Sequence, residues 1–271
     1  MEYQTYPVSD DLNSFVKCYW TLEGAKETLN KRQTIVPDGC MEMIFHFGDP
    51  YLQYDPLGNA TEQPRAFVFG PLTRKLEIAP TGDTRIFAVR FHPDGLAPFT
   101  ATNIKSMTNT AVDVCEVFAG ESAHLYETLS RLRSTADRMR AVESFLLSQL
   151  RSEETIDRMI SQAIDTIIEV KGQCSVDDLS SIVNVHRRKL ERKFASKVGL
   201  GVKQLSQIVR MQSTLKQLLS NDFENLTAVA YGEGFYDQAH FIKDFKAFTG
   251  QTPKDYYSDH LKMSALFYGD P

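Results

Sequence analysis

The feature that most constrains this chain is a change of hydrophobic period near residue 110. Before it, apolar residues come in short alternating runs broken by turn formers. After it, they recur at three- and four-residue spacing. Alternation feeds a sheet and the longer spacing feeds helices. The sequence therefore predicts an α+β protein with a β-rich N-terminal part and an all-helical C-terminal part.

Strands are predicted over residues 15–23, 31–36, 40–47, 66–69, 73–79 and 84–91, which are rich in β-branched and aromatic side chains. Pro37-Asp38-Gly39, Gly48-Asp49-Pro50, Gly70-Pro71 and Pro80-Thr81-Gly82-Asp83 separate them. Residues 50–65 read as a polar loop. Short strands with such turns predict a sandwich or small barrel. In residues 41–47, Met41, Met43, Phe45 and Phe47 share one face, and Glu42, Ile44 and His46 share the other. A pocket lined by Met43, Phe45, Phe87 and Val89 is one expectation, with Arg90 and His92 near a strand end to hold an anionic effector. The alternative is that the same apolar residues pack the interior shut and leave dimerisation as this half's task.

Residues 122–133 and 135–151 carry helical stripes, Leu125/Leu129/Leu132 and Met139/Val142/Phe145/Leu146. Such stripes suit either a cover for the β-rich part or a homodimer contact. The divisions are then 1–110, a helical linker over 111–154, and an all-helical unit over 155–271. In the last, a helix over 155–171 stops at Gly172. Ser175 caps the next with Asp178 completing a capping box. Helices over 187–198 and about 202–220 follow. Asn225 caps a scaffold helix ending near Gly234, Asp237 caps another ending at Gly250, and Pro253 opens the last.

The charge distribution points to a partner. The whole chain has a formal charge of −5, yet residues 185–216 hold nine basic residues and one acidic one, Glu191. That is an electrostatic footprint for nucleic acid, or else a solvated helical face. Residues 175–199 and 225–250 share a plan of short helix, tight turn and second helix, the helix-turn-helix layout. In the first, Leu190, Phe194 and Val198 form the buried stripe, opposite Arg188, Glu191, Arg192 and Ala195, with Lys189, Lys193 and Lys197 on the flank. In the second, Phe241, Phe245 and Phe248 are buried, and Gln238, Ala239, Ile242, Lys243 and Lys246 face outward. Donors suit base edges, cations suit phosphates and Ile242 suits a thymine methyl. Arg187 and His240 complete the candidate DNA-binding set.

The C-terminal stretch resembles the AraC/XylS family of bacterial transcription regulators, over about residues 155–257. Its most specific part is GEGFYDQAHFIKDFKAFTGQTPKDYY, residues 232–257, which matches the family's glycine-aromatic turn, Gln-x-His recognition helix, Phe-x-x-x-Phe core and Thr-Pro helix start. The resemblance implies that residues 187–198 and 238–248 are recognition helices. It places Arg188, Glu191, Arg192, Gln238, Ala239 and Lys243 where the family reads bases. Gly232 and Glu233 depart from the family's helix formers, and His186 sits at a cap position often held by Ser or Thr. The N-terminal half is similar, through VPDGCMEMIFHFG (36–48), Gly70-Pro71 and AVRFHPDGLAPF (88–99), to the sensor halves of some members. That implies a cupin-like architecture binding a small-molecule effector, dimerising, or both.

Together these predict a sequence-specific DNA-binding regulator acting on double-stranded DNA, and on RNA polymerase if it activates. The competing expectation is a small-molecule-binding or enzymatic cupin-like barrel whose helical tail makes protein contacts. Glu42, His46 and His92 are the metal-ligand candidates, but no H-x-H pair exists and no metal or other cofactor is expected. There is no G-x-S-x-G and no phosphate-binding glycine loop, so no enzyme activity is expected. The four cysteines form no C-x-x-C pair, which fits reduced thiols in a cytosol. Cys40 beside Asp38 reads as a small buried hydrophobe more readily than as a redox sensor. No run approaches the roughly 18 apolar residues of a membrane span, and the opening MEYQTYPVSDD lacks the basic start of a secretory leader.

Overall fold

The computed structural model describes the chain apart from residues 26–31, 120, 121, 123, 152–156, 221–228, 230, 231, 233, 236 and 260–271. Among the described residues, ten strands form two antiparallel sheets. The larger runs β1 (Glu2–Tyr6), β2 (Val16–Gly24), β9 (Thr84–Phe91), β4 (Met41–His46), β7 (Ala66–Phe69), β10 (Ala111–Asp113). The smaller runs β3 (Gln33–Ile35), β8 (Leu76–Pro80), β5 (Tyr51–Tyr54), β6 (Ala60–Glu62).

The expected polar loop over 50–65 is instead the β5–β6 hairpin. Leu52 pairs with Glu62 and Tyr54 with Ala60. Asp55 closes the turn by accepting from the amides of Leu57 and Asn59, each at 2.9 Å, and Gly58 takes φ +85°. All of β6 is exposed, so it carries no apolar alternation for a sequence to display. β1, largely polar and at the sheet edge, escapes notice for the same reason.

Strand alternation gives the large sheet two unlike faces. Tyr19, Met43, Phe45, Phe87 and Val89 point one way and are completely buried. There they meet Leu125 and Leu129 of α2 (Leu125–Arg131) and Val142 and Leu146 of α3 (Thr135–Gln149). A short helix, α1 (Val114–Val117), joins the same core. Each large apolar side chain buried there contributes roughly 1.5–3 kcal/mol. The stripe of Leu125, Leu129, Val142 and Leu146 therefore packs on the sheet. Trp20, Leu22, Ile44, Ile86 and Ala88 point the other way, toward Tyr51 and Ile78 of the small sheet.

The C-terminal helices are α4 (Arg158–Glu169), α5 (Val176–Ile182), α6 (Arg187–Lys197), α7 (Val202–Ser220), α8 (Gln238–Thr249) and α9 (Pro253–Asp259). They share one core built on Leu179, Leu190, Phe194, Leu205, Met211, Phe241 and Phe245. Gly172 ends the α4 turn at φ +74°, and a Cβ there would lie 2.0 Å from the Ser206 carbonyl of α7. The scaffold helix expected after Asn225 lies outside the described residues, apart from positions such as Val229, which is buried in this core.

The two halves touch. Val36 belongs to the C-terminal core, and a Cβ on Gly39 would come within 2.7 Å of Leu205 Cδ1. Ser161 donates to Asp94 at 2.7 Å, and Gln212 donates to the Pro37 carbonyl.

Candidate nucleic-acid interface and the cavity behind it

The first unit begins with the expected cap: Ser175 Oγ accepts from the Asp178 amide at 3.1 Å and the Asp178 carboxylate accepts from the Ser175 amide at 3.0 Å. The Ser175 hydroxyl, donating to the same carboxylate at 2.7 Å, and then the Ser175 amide hold the Asp178 carboxyl below its ordinary range. α5 ends at Ile182 with Val183 as its C-cap, and Asn184 turns the chain at φ +49°. His186 precedes α6 but forms no side-chain cap bond. Leu190, Phe194 and Val198 are completely buried, which fixes the roll of α6.

That roll leaves Arg187, Arg188, Lys189 and Arg192 exposed. They differ in how free they are. Arg187 bonds Glu191 at 3.2 Å and Asp177 at 3.4 Å, and these raise its pKa, the Glu191 bond first. Lys193 reaches Asp157 at 2.6 Å. Lys197 borders a cleft shared by α4 and residues 92–98 of the β-rich half. Arg188, Lys189 and Arg192 have no ion pair among the described residues. Arg188 and Arg192 stand one helical turn apart, and a guanidinium fork fits a guanine edge.

The second unit repeats the plan with other side chains. Asp237 caps α8 by accepting from the His240 amide at 2.7 Å, and Gly250 ends it at φ +86°. Phe241, Phe245 and Phe248 are buried, while Gln238, Ala239, His240, Ile242, Lys243 and Lys246 are exposed. His240 lies 3.3 Å from Asp244, and Gln207 of α7 donates to the same carboxylate at 3.4 Å. Gly232 is exposed, and Glu233 lies outside the described residues.

A cavity of about 350 Å³ opens between the two sheets. The expected wall residues are not in it. Met43, Phe45, Phe87 and Val89 fill the helix-side core, because alternation turns them away from the small sheet. His92 lies in the separate cleft beside α4, with Nε2 3.2 Å from the Asn13 carbonyl. Arg90 does border the cavity, but it ion-pairs with Asp38 and stands 3.6 Å from Glu42, so it is not an open anion site.

The actual wall comes from the neighbouring positions on the same strands, Trp20, Glu42, Ile44, His46 and Ile86, faced by Gln33 and Ile78. The signal was the pair of polar residues, Glu42 and His46, at alternate positions of an otherwise apolar strand. Burial pushes the Glu42 carboxyl up to about 7, against a smaller downward pull from its bond with Trp20. Burial pushes His46 down to about 4. Its ring lies between Tyr51 and Phe67, with centroids 5.6 and 5.7 Å away. Glu42 and His46 share this wall while His92 does not, and among the described residues no three His, Cys, Asp or Glu side chains converge. Cys40 also borders the cavity, and burial pushes its thiol up to about 12, away from a reactive thiolate.

One end of the cavity is closed by the helical half. Thr249, Gly250 and Gln251, at the end of α8, line it with Tyr256 of α9. Tyr256 packs edge-on against Phe245, with ring centroids 5.5 Å apart. The wall of the cavity thus continues into the buried face of α8.

Residues 179–258 match the family described as a helix-turn-helix domain, and residues 4–113 match a domain family of unknown function, DUF6597. An uncharacterized HTH-type transcriptional regulator of Staphylococcus aureus strain MRSA252 is 33% identical over 104 residues, 38% of this chain. Its counterpart in strain N315 is 32% identical over the same length. The matched stretch spans 14% of each of those longer proteins. Among solved structures, ToxT from Vibrio cholerae O395 is similar with a TM-score of 0.47 and 11% identity, over 89% of this chain and 97% of that one. The C-terminal domain of AraT, a response regulator from Geobacillus stearothermophilus, is similar with a TM-score of 0.36 and 21% identity, over 38% of this chain and 85% of that one. Among the described residues, no helix is long and apolar enough to cross a membrane.

Proposed function

We propose, from the premise that residues 179–258 are an AraC-type helix-turn-helix domain, that this chain is a sequence-specific transcriptional regulator binding double-stranded DNA under the control of a small molecule. One observation carries the DNA reading. Arg188 and Arg192 stand exposed, without an ion pair among the described residues, one turn apart on a helix whose opposite side is locked by completely buried Leu190 and Phe194. α6 and α8 read successive major grooves about 34 Å apart on one face of the duplex. Lys189, Lys243 and Lys246 supply phosphate contacts. One chain carries both reading helices, so an asymmetric site needs no second copy.

The effector sits between the sheets. Gln251 and Tyr256 touch that space and lead straight to α8, so a ligand that prefers one setting of α8 shifts the population toward it by its differential affinity. The protein acts by binding, not catalysis, in the cytoplasm, and meets RNA polymerase where it activates. Selection of duplexes from a random library by the full chain, followed by anisotropy titrations at several salt concentrations, tests the reading. A defined consensus and affinity that falls steeply with salt are expected. Equal affinity for every duplex sequence contradicts it.

A further inference from the structure

The cavity's charges are lopsided. Toward solvent, Arg32 and Lys75 share one carboxylate, Glu77, at 3.4 and 2.8 Å, with side-chain exposures of 53%, 39% and 31%. Deeper in, the ratio reverses. Arg90 alone faces Asp38 and Glu42, with exposures of 14%, 22% and 27%. Arg90 is engaged by Asp38, and Glu42 stands 3.6 Å from it. Glu42 Oε1 also accepts from the Trp20 indole N–H at 3.1 Å. The outer cations are screened by water and salt, whereas the inner surplus carboxyl is not.

The wall also lacks donors. Gln33 Oε1 and His46 Nδ1 have no hydrogen-bond partner among the described residues, on side chains only 4% and 1% exposed, and neither does Gln251 Oε1. His46 Nε2 lies 3.1 Å from Gln63 Oε1. That assigns the proton to Nε2 and leaves Nδ1 an acceptor. Arg90 Nε is the one unmatched donor among these cavity-lining groups. Unmet buried acceptors in a cavity wall call for a ligand that brings hydrogens. The remaining surface is aromatic and aliphatic, with Trp20, Tyr51 and Ile86, and aromatic faces attract cations.

We propose that this cavity takes a cationic amphipath, an apolar or aromatic body carrying a protonated amine, with the ammonium seated on the Glu42 carboxylate beside Trp20. A carboxylate ligand meets a single unmatched donor at depth, Arg90 Nε, on a guanidinium already engaged by Asp38. This assignment rests on the effector reading of the cavity and adds the ligand's charge.

Trp20 is the only tryptophan in the chain, so its emission reports occupancy without DNA. The full chain is titrated with 4-phenylbutylamine, 4-phenylbutanol and 4-phenylbutyrate. The amine should give a saturable change in Trp20 emission at about tenfold lower concentration than the alcohol, with the carboxylate weakest. Glu42→Gln, which retains an acceptor for the Trp20 N–H, should erase the amine's advantage and leave the alcohol's affinity unchanged. A carboxylate or alcohol that matches the amine overturns the cationic assignment while leaving the cavity an effector site. An amine response that Glu42→Gln leaves intact overturns it too. Silence of all three probes overturns both the class and the site, and leaves the DNA reading standing on its separate measurement. The wild-type order alone decides the ligand class should the variant fail to fold.

Discussion

α6 and α8 are built on one plan and loaded differently. α6 buries Leu190 and Phe194, with Val198 at its end, and α8 buries Phe241, Phe245 and Phe248, and each is followed by a glycine at positive φ, Gly199 at +75° and Gly250 at +86°. Outward, α6 shows Arg187, Arg188, Lys189 and Arg192, whereas α8 shows Gln238, Ala239, Ile242, Lys243 and Lys246. The inner side sets the pose of a reading helix. The outer side sets how much of its binding depends on base identity and how much on salt. From this comparison we propose α6 as the sequence reader and α8 as a weaker, more apolar reader, whose Phe245 packs on the cavity residue Tyr256.

The likeness of the buried sides is the first thing to break. Phe194→Ala and Phe245→Ala should each cost about 3–5 kcal/mol, measured by urea unfolding, because both rings are completely enclosed. A cost below about 1 kcal/mol for either would show that its unit is not packed as described.

The unlike outer sides come next. Arg192→Ala should weaken the preferred duplex by about 1–3 kcal/mol and relax selection at one base position. Gln238→Ala should cost less, and equal costs would erase the proposed asymmetry. The caps sharpen the same contrast. Asp237→Ala should cost about 0.5–2 kcal/mol of stability, whereas His186→Ala should cost almost nothing, because only Asp237 makes a cap bond. Lys246→Ala should weaken all duplexes alike and lower the salt slope by about one unit.

The smallest effect separates the cavity from both helices. The folded state raises Glu42 from 4.5 to about 7, so the fold binds that proton more tightly than the unfolded chain does. Its contribution is full below the ordinary carboxylate range and is lost as pH rises through about 7. Glu42→Gln should therefore flatten the fall in stability between about pH 5 and pH 8. An unchanged pH profile would show that Glu42 is not desolvated.

Much of the helical half was legible because its signals are local. Ser175, Asp178, Asp237, Gly250 and Pro253 act within a few residues of themselves, and the stripes through Phe194 and Phe245 state which side is buried. The inner strands of the large sheet, β2, β9, β4 and β7, were legible in the sequence, whereas its edge strands β1 and β10 and the direction of its faces were not. Alternation shows that Met43 and Ile44 point opposite ways. It does not show which layer carries the helices, and so which face stays open. The apolar face was the natural guess for a pocket, but its partners, Leu129 and Val142, lie some forty to a hundred residues further on. The closure of the cavity by Gln251 and Tyr256 is likewise a contact between distant segments that no local pattern encodes.

Hydroxyl-radical footprinting of the full chain on its selected duplex tests the two-helix reading most directly. Wild-type protein should protect two patches on one face, about one helical turn apart. Arg188→Ala combined with Arg192→Ala should abolish base preference in one patch and leave the other in place. A single protected groove, or an unchanged preference in both patches, would contradict the assignment of α6 as the sequence reader.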